Sequence, residues 1–256
     1  LLGSDPNAGY YVLCAHYDAT AVRSIGWNWR ENPAPGADDN ASGVALVLES
    51  ARALAGQTFP WTIKFIAFSG EELGLFGSRA YAEEALLGND RILGVFNFDM
   101  IGFNDLSERL ELVSNPGSLW LVEAMRLVNR LYDIGLQGDV LEDAGAGLSD
   151  HAPFWARGYD AILGIENYLP TDTTTVGVRR GDYRINVQYH SMVDLPDSLN
   201  YGLMQRVTRL AVGTLAQYGV GVGKPNLAVY SGDLRGDSKD NLRVRVGNAG
   251  FGALVE

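Results

Sequence analysis

Apolar runs alternate with amphipathic stretches along most of the chain. In the first hundred residues the two patterns predict the order strand, helix, strand, helix, strand, at 10–15, 42–55, 61–68, 73–87 and 92–98. Further along they predict strands at 109–113 and 161–165, helices at 118–132 and 201–218, and a short helix after His151. This alternation is typical of an α/β layer fold.

The last helical pattern is followed by a change in composition. Residues 219–225 contain three glycines and a proline, which is typical of a linker. We therefore predict a main domain at 1–222 and a separate segment at 223–256. In that segment, 227–230 and 242–246 are predicted to be short strands. This β tail is either the start of a β-sandwich-like module, which it resembles, or an extra hairpin on the main domain.

Composition restricts the classes of function that need to be considered. The chain has 256 residues, of which 46% are hydrophobic, so it can bury a large core. It carries 20 basic and 31 acidic side chains, and the net charge of −11 disfavours binding to nucleic acid. No apolar run reaches the roughly 18 residues that a membrane span needs. A single cysteine, Cys14, excludes an intrachain disulfide framework and a cysteine-rich metal site.

Two polar motifs follow the first predicted strand. His16 and Asp18 end that strand, so their side chains are expected at the carboxyl edge of the sheet, where α/β folds bind ligands. A carboxylate two residues after a histidine is typical of an oriented metal ligand. The turn at 35–43 then brings Asp38 and Asp39 together, and adjacent carboxylates repel unless a cation or hydrogen bonds compensate them. The alternative is a helix N-cap, with Asn40 or Ser42 as the capping residue.

Three further motifs add acids and a histidine. Glu71 and Glu72 follow the strand at 61–68; on an irregular turn one can bind a metal while the other acts on the bound water. Asp99 places an acid inside an otherwise apolar strand, where a buried carboxylate is costly unless it is paired or metal-bound. His190 follows a long loop. Two zinc ions, sharing one aspartate, would use two imidazoles and three carboxylates completely.

Taken together, these motifs resemble the family of two-zinc aminopeptidases, which includes secreted bacterial leucyl aminopeptidases and the yeast vacuolar aminopeptidase. The resemblance covers residues 10 to about 218 and rests on five motifs in family order: 15–18, 35–43, 69–78, 97–102 and 189–191. It implies a three-layer α/β/α fold with a mixed, mostly parallel central sheet.

The resemblance also implies a role for each matching residue. His16 and Asp99 would hold one zinc ion, Glu72 and His190 the other, and Asp39 would bridge the two. Among the remaining residues, Glu71 would be the general base, Asp18 would orient His16, and Tyr189 would donate a hydrogen bond to the developing oxyanion.

The activity implied by the resemblance is hydrolysis of the N-terminal peptide bond of peptides with a free N-terminus, with apolar N-terminal residues preferred. A secreted or periplasmic location is expected, because members of the family that the chain resembles are commonly secreted. Six apolar side chains are candidates for a pocket wall, with core packing as the alternative: Trp27, Trp29, Phe103, Trp155, Ile165 and Tyr168. No expectation for the oligomeric state follows from the sequence.

The chain departs from the family pattern in two places. Leu148 stands where some relatives carry an arginine that fixes the substrate terminus. The family domain also begins some tens of residues earlier, and this chain opens at Leu1 without a methionine, so we expect a trimmed or unusually short domain. In the same family segment, His151 is expected to pack beneath the site and not to bind metal.

Three other functions remain open. A glutaminyl cyclase-like acyltransferase would use one zinc ion on a related fold. A carboxypeptidase would need a cationic clamp, for which the candidates are Arg179, Arg180 and Arg184 in the predicted loop at 170–187. A non-catalytic peptidase-like binding domain would hold no metal. Metal content distinguishes these alternatives.

Overall fold

The computed structural model contains a six-stranded sheet with helices packed against it. It describes residues 1–103, 109–166, 168, 179–180, 183–184, 186–218, 234–236 and 242–244. The strands in these residues are β1 Tyr10–His16, β2 Thr62–Phe68, β3 Ile92–Phe98, β4 Arg109–Ser114, β5 Gln137–Glu142, β6 Ala161–Ile165, β7 Arg179–Arg180, β8 Tyr183–Arg184, β9 Leu234–Gly236 and β10 Leu242–Val244. The α-helices are α1 Gly43–Leu54, α2 Phe76–Leu87, α3 Leu119–Leu131, α4 Ala152–Trp155 and α5 Tyr201–Tyr218.

The order of strands in the sheet is β2-β1-β3-β6-β4-β5. Neighbouring strands are parallel except for β4 and β6, which are antiparallel. The sheet is therefore mixed and mostly parallel, and the carboxyl ends of β2, β1 and β3 lie side by side at one edge. None of the helices in the described part of the chain is long and apolar enough to cross a membrane.

Side chains of the central strand β1 point alternately to the two faces of the sheet. Tyr11, Leu13 and Ala15 pack with apolar side chains of α1, α3 and α5. Tyr10, Val12 and Cys14 belong to a second cluster, which includes Ala82 of α2 and Phe154 of α4. Both faces of the strand are buried, which explains why it is apolar along its whole length. The expected three-layer arrangement is confirmed.

Helix α2 and strand β5 differ from the sequence prediction. Helix α2 begins at Phe76 and not at residue 73, because the backbone at Gly70, Gly74 and Leu75 has positive φ angles and forms a turn. Strand β5 was not predicted at all. It is an edge strand of polar and exposed residues, so it lacks the apolar alternation by which a buried strand is recognised.

The C-terminal predictions are only partly covered by the described residues. Strand β10 matches the first part of the strand predicted at 242–246, and it pairs antiparallel with β9. The strand predicted at 227–230 lies outside the described residues. The predicted loop at 170–187 contains the short antiparallel pair β7 and β8. The boundary between 1–222 and 223–256 stays a prediction.

Candidate metal centre

The candidate ligands come from turns at one edge of the sheet. His16 is the last residue of β1, Asp99 directly follows β3, and Glu72 lies in the turn after β2. Asp39 lies in the helical turn that precedes α1. His190 comes from the segment that precedes α5. The structure brings all five predicted ligands together, in two groups of potential metal donors.

The first group surrounds the imidazole of His16. Its Nε2 lies 3.2 Å from Oδ1 of Asp99 and 3.2 Å from Oδ1 of Asp39. The carboxylate of Glu71 belongs to the same group of donors. His16 is 1% exposed, so its ring is held in this place by the surrounding protein.

The second group surrounds the imidazole of His190. Its Nε2 lies 3.0 Å from Oδ2 of Asp39 and 2.9 Å from Oε2 of Glu72. Oε1 of Glu72 is buried and has no hydrogen-bond partner among the described residues. An orphaned carboxylate oxygen next to an imidazole suits a metal ligand, because a bound cation would compensate its burial.

The two carboxylate oxygens of Asp39 contact the two different donor groups. Oδ1 faces His16 and Oδ2 faces His190, as expected for a carboxylate that bridges two cations. Glu71 and Glu72, although adjacent in sequence, belong to different groups. The donors are imidazoles and carboxylates, a set that suits zinc.

Without a metal, protons compensate the clustered acids. Burial opposes a charge on His190, but hydrogen bonds to Asp39 and Glu72 outweigh it and raise the pKa of His190 to about 9. Burial likewise acts against ionised Asp39, yet both imidazoles hold its pKa at about 2. The pKa of Glu71 rises to about 9 through burial and the nearby Asp99 carboxylate. Metal binding at neutral pH must therefore displace protons.

The Asp18 carboxylate contacts other atoms than the predicted imidazole of His16. The nearest acceptor for Nδ1 of His16 is the backbone carbonyl of Asp18, at 3.0 Å, whereas the carboxylate Oδ1 lies 3.8 Å away. The Asp18 carboxylate instead accepts the backbone N–H groups of Glu71 and Glu72, each at 3.1 Å. The orientation of His16 by the Asp18 carboxylate is therefore corrected: the backbone carbonyl orients the ring, and the side chain fixes the turn that carries both glutamates.

A chain of buried hydrogen bonds supports Asp99. The hydroxyl of Ser149 donates to Oδ2 of Asp99 at 2.6 Å, and the side-chain amide of Asn97 donates to Ser149 at 2.8 Å. The hydroxyl of Ser78 in α2 makes a short hydrogen bond to Asp150. These contacts join the segment before α4 to both β3 and α2.

A pair of buried carboxyls lies beneath the Asp39 turn. Asp38 and Glu166 are both fully buried and within hydrogen-bonding reach of each other, and Oε1 of Glu166 has no other partner among the described residues. Burial raises the pKa of Asp38 to about 7 and that of Glu166 well above its ordinary value, so the pair shares a proton. The amide of Asn186 and the N–H of Gly102 donate to Asp38, and the N–H of Phe103 donates to Glu166.

Sequence reasoning did not identify Glu166, although a signal was present. Glu166 directly follows the apolar strand β6, the same position after a strand that marked Asp99. Nor was Asp194 assigned a contact; its carboxylate accepts the backbone N–H groups of Asp38 and Asp39. Of the two N-cap candidates, Ser42 occupies the N-cap of α1 without a side-chain cap hydrogen bond, whereas Oδ1 of Asn40 accepts the N–H of Gly43, the first residue of the helix.

Tyr189 and His190 stack, with ring centroids 3.7 Å apart. Burial and the carboxylates of the site raise the pKa of Tyr189, so its hydroxyl stays protonated and can donate a hydrogen bond. His151 is fully buried, with Nε2 2.8 Å from the carbonyl of Ala146, and it belongs to neither donor group. Burial lowers its pKa to about 4.

Three of the six predicted pocket-wall residues are buried in the core, and Trp27 and Trp155 are half-buried. Ile165 and Tyr168 are 8% exposed and share an apolar cluster, against which Trp155 and Tyr189 pack. Phe103 is also buried, whereas Trp29 is 70% exposed. Leu148 is 74% exposed. The carboxypeptidase candidates Arg179, Arg180 and Arg184 have no described side chains.

Comparison with known proteins identifies relatives over most of the chain. A model of peptidase family M28 matches residues 1–215. The chain is 35% identical to aminopeptidase YwaD of Bacillus subtilis over 154 residues, which are 58% of this chain and 30% of that protein. The structure of BSAP, a zinc aminopeptidase from Bacillus subtilis, covers 87% of this chain with a TM-score of 0.64 and 25% identity. This chain covers 50% of that one. It thus spans half or less of the length of both relatives.

A glutaminyl cyclase from Bacteroides thetaiotaomicron shares the fold. Its structure covers 80% of this chain and 72% of its own, with a TM-score of 0.55 and 16% identity. At that identity the likeness concerns the fold alone. For the chemistry of the site, the two donor groups on either side of Asp39 are more informative than this likeness.

Proposed function

This chain belongs to peptidase family M28, and on that premise we propose that it is a zinc-dependent aminopeptidase that hydrolyses the N-terminal bond of peptides. The observation that carries the proposal is the position of Asp39, whose two oxygens face two different imidazoles at 3.2 and 3.0 Å. The names of the relatives, a zinc aminopeptidase and an aminopeptidase, support the same activity.

Two zinc ions per chain fit the two donor groups. His16 and Asp99 would hold one ion, Glu72 and His190 the other, and Asp39 would contact both. When bound, the ions supply Lewis-acid polarisation of the scissile carbonyl and a lowered pKa for a bound water.

Glu71 is the general base of the proposed reaction. Its carboxylate lies beside His16 and Asp99 but is not needed as a ligand, since each group already has an imidazole and two carboxylate contacts. In the absence of metal, burial and the nearby Asp99 carboxylate raise the pKa of Glu71, so the carboxyl would have to lose its proton as zinc binds. The ionised carboxylate would then take a proton from the attacking water and pass it to the leaving amine.

Two further features support action at a free N-terminus. The carboxylates of Glu71 and Asp99 offer anionic partners for the α-ammonium group of a peptide. Three residues that directly neighbour site residues in sequence carry exposed apolar side chains: Tyr17 is 61% exposed, and Leu73 and Leu148 are each 74% exposed. We propose that an apolar N-terminal side chain packs against them. Tyr189 is proposed to donate to the developing oxyanion, and the family resemblance supports a secreted or periplasmic location.

The test is release of 4-nitroaniline from a panel of amino-acid 4-nitroanilides, with and without chelator, alongside metal analysis. We expect close to two zinc ions per chain, fastest release from leucine or phenylalanine derivatives, and loss of activity with chelator. N-acetylation of the substrate should abolish release, because it removes the cation. One zinc ion with cyclisation of glutaminyl peptides would instead indicate the acyltransferase, and no metal would indicate a binding domain.

A further inference from the structure

Arg23 lies at the rim of the candidate metal centre, in the segment between β1 and the Asp39 turn. Its backbone N–H donates to the carbonyl of His190 at 3.0 Å. The hydroxyl of the next residue, Ser24, accepts the N–H of Met192 at 2.9 Å. These two hydrogen bonds attach the start of this segment to the residues around a candidate ligand, so Arg23 has a fixed place beside the site.

The guanidinium of Arg23 lies over the ring of Tyr189, which in turn stacks on His190. Its central carbon lies 5.0 Å from the ring centroid of Tyr189, and that ring stacks on His190 at 3.7 Å. The guanidinium carbon is therefore within about 9 Å of the imidazole, even if the three groups are in line. A guanidinium that lies over an aromatic ring still has N–H groups that can donate to an anion.

The charge of Arg23 contrasts with its surroundings. The site gathers the carboxylates of Asp18, Glu71 and Glu72 with the ligand aspartates. Among the described residues, the ion pairs of arginine involve other positions, such as Arg52 with Glu49 and Arg157 with Glu83, and Arg23 has no carboxylate within 4.0 Å. Among the described side chains around the site, Arg23 thus offers a cation on the Tyr189 side to an anionic group of a bound molecule.

We propose that Arg23 binds a substrate carboxylate, so that the site favours short peptides with a free C-terminus; this rests on the proposed aminopeptidase function. An extended peptide spans about 3.5 Å per residue. The carboxylate would thus lie one or two residues beyond the scissile bond. An acidic side chain at that point offers the same chemistry, and the experiment separates the two sources.

The experiment compares three substrates: Leu-Gly, Leu-Gly amide and Leu-Asp amide. In the wild type, we expect kcat/KM for Leu-Gly to exceed that for Leu-Gly amide about tenfold, the usual effect of a charge-assisted hydrogen bond. Arg23→Ala and Arg23→Gln should bring this ratio close to one. Arg30→Ala is the matched control, because Arg30 lies in the same segment and stacks on Trp29 at 4.6 Å, away from Tyr189; it should keep the ratio.

The three substrates also identify the source of the carboxylate. A preference for Leu-Gly alone assigns Arg23 to the peptide C-terminus, and an equal preference for Leu-Asp amide assigns it to carboxylates in general. An unchanged ratio in Arg23→Ala overturns the proposal. An equal loss on all three substrates also overturns it, because Arg23 would then act only by holding Tyr189.

A binding measurement separates this proposal from the proposed function. Calorimetry on zinc-loaded Glu71→Gln needs no turnover, and it should show about tenfold tighter binding of Leu-Gly than of Leu-Gly amide. Adding Arg23→Ala should remove that difference. If the wild type cleaves no substrate but the binding difference persists, the aminopeptidase function fails and the carboxylate site stands. If cleavage occurs without any binding difference, only the carboxylate site fails.

Discussion

Asp39 links the two donor groups, because each of its oxygens faces a different imidazole. In the metal-free protein a protonated imidazole compensates each oxygen, as the raised pKa of His190 indicates. Each proton brings one positive charge, whereas a zinc ion brings two to the same crowded carboxylates. Zinc is therefore the better partner for this arrangement once the pH is high enough to release the protons.

Substitutions at the adjacent residues Glu71 and Glu72 test which of them is the general base and which is a metal ligand. Glu71→Gln keeps the shape of the side chain but removes the basic carboxylate, so the rate should fall about 10²- to 10⁴-fold with both zinc ions retained. Glu72→Gln should weaken the ion beside His190, and excess zinc should restore part of the activity. Metal analysis and kcat at several zinc concentrations distinguish the variants. If Glu71→Gln loses metal and Glu72→Gln does not, Glu71 is the metal ligand and Glu72 is the base.

Asp18 is predicted to act through the turn that it holds. Asp18→Asn replaces one acceptor oxygen by an N–H₂ group, which must face the N–H of Glu71 or Glu72. We expect a 10- to 100-fold loss of kcat together with weaker binding of zinc by the Glu72 group, the usual cost of losing a supporting contact. Glu31→Gln, in the exposed part of the same segment, is the control. Normal zinc affinity in Asp18→Asn would contradict a role in fixing the turn.

At the scale of elements, hydrogen bonds between turns hold the site together. The turn before α1 is fixed to the end of β6 by Asp38 and Glu166, and to the segment before α5 by Asp194. The turn after β2 is fixed to β1 by Asp18. The geometry of the ligands therefore depends on contacts between residues far apart in sequence.

The buried carboxyl pair gives a prediction at this scale. Glu166→Gln can donate to Asp38 and accept the N–H of Phe103, so the free energy of unfolding should change by less than about 1 kcal/mol. Glu166→Leu removes both contacts and leaves buried polar groups without partners, which should cost about 1–3 kcal/mol. Urea denaturation of both variants checks this. Equal stability of the two would mean that the shared hydrogen bond has no structural role.

The sequence predicted the elements that are buried on one or both faces and missed those that are not. Strands β3 and β6 were predicted with their observed bounds, because burial makes them continuously apolar. Strand β5 and the turn before α2 carry no such pattern. The motifs of His16, Glu72 and Asp99 were found at or after the ends of strands, that of Asp39 in a turn and that of His190 after a long loop, and their roles as ligands came from the family resemblance. The contact of Asp38 with Glu166 was not found, since no local pattern records a pairing between residues so far apart.

At the scale of the whole molecule, the site adds to a large excess of acid. The net charge is −11, and six carboxylates lie in or beside the two donor groups: Asp18, Asp39, Glu71, Glu72, Asp99 and Asp150. Gathering them is unfavourable unless cations compensate them. Protons can do so at low pH and zinc at higher pH, so the stability of the fold should depend on both.

The pH dependence of the metal-free protein follows from the sign of the shifts. The pKa of His190 is raised from 6.5 to about 9 and that of Glu71 from 4.5 to about 9, so the folded state binds more protons than the unfolded state. The stability that these protons provide is complete below the unfolded pKa values and is lost as the pH rises through about 9. The melting temperature of chelator-treated protein should therefore fall by several degrees between pH 6.5 and 9.

Zinc should reverse this dependence. Bound zinc replaces the protons and stabilises the folded state by mass action, so the difference in melting temperature between zinc-loaded and chelator-treated protein should widen from pH 6.5 to pH 9. Calorimetric melting at four or five pH values measures both curves. Chelator-treated His190→Gln is the control, because it lacks one of the two groups and should show a shallower fall. Parallel curves for the loaded and metal-free wild type would mean that protons and zinc do not compete for the same residues.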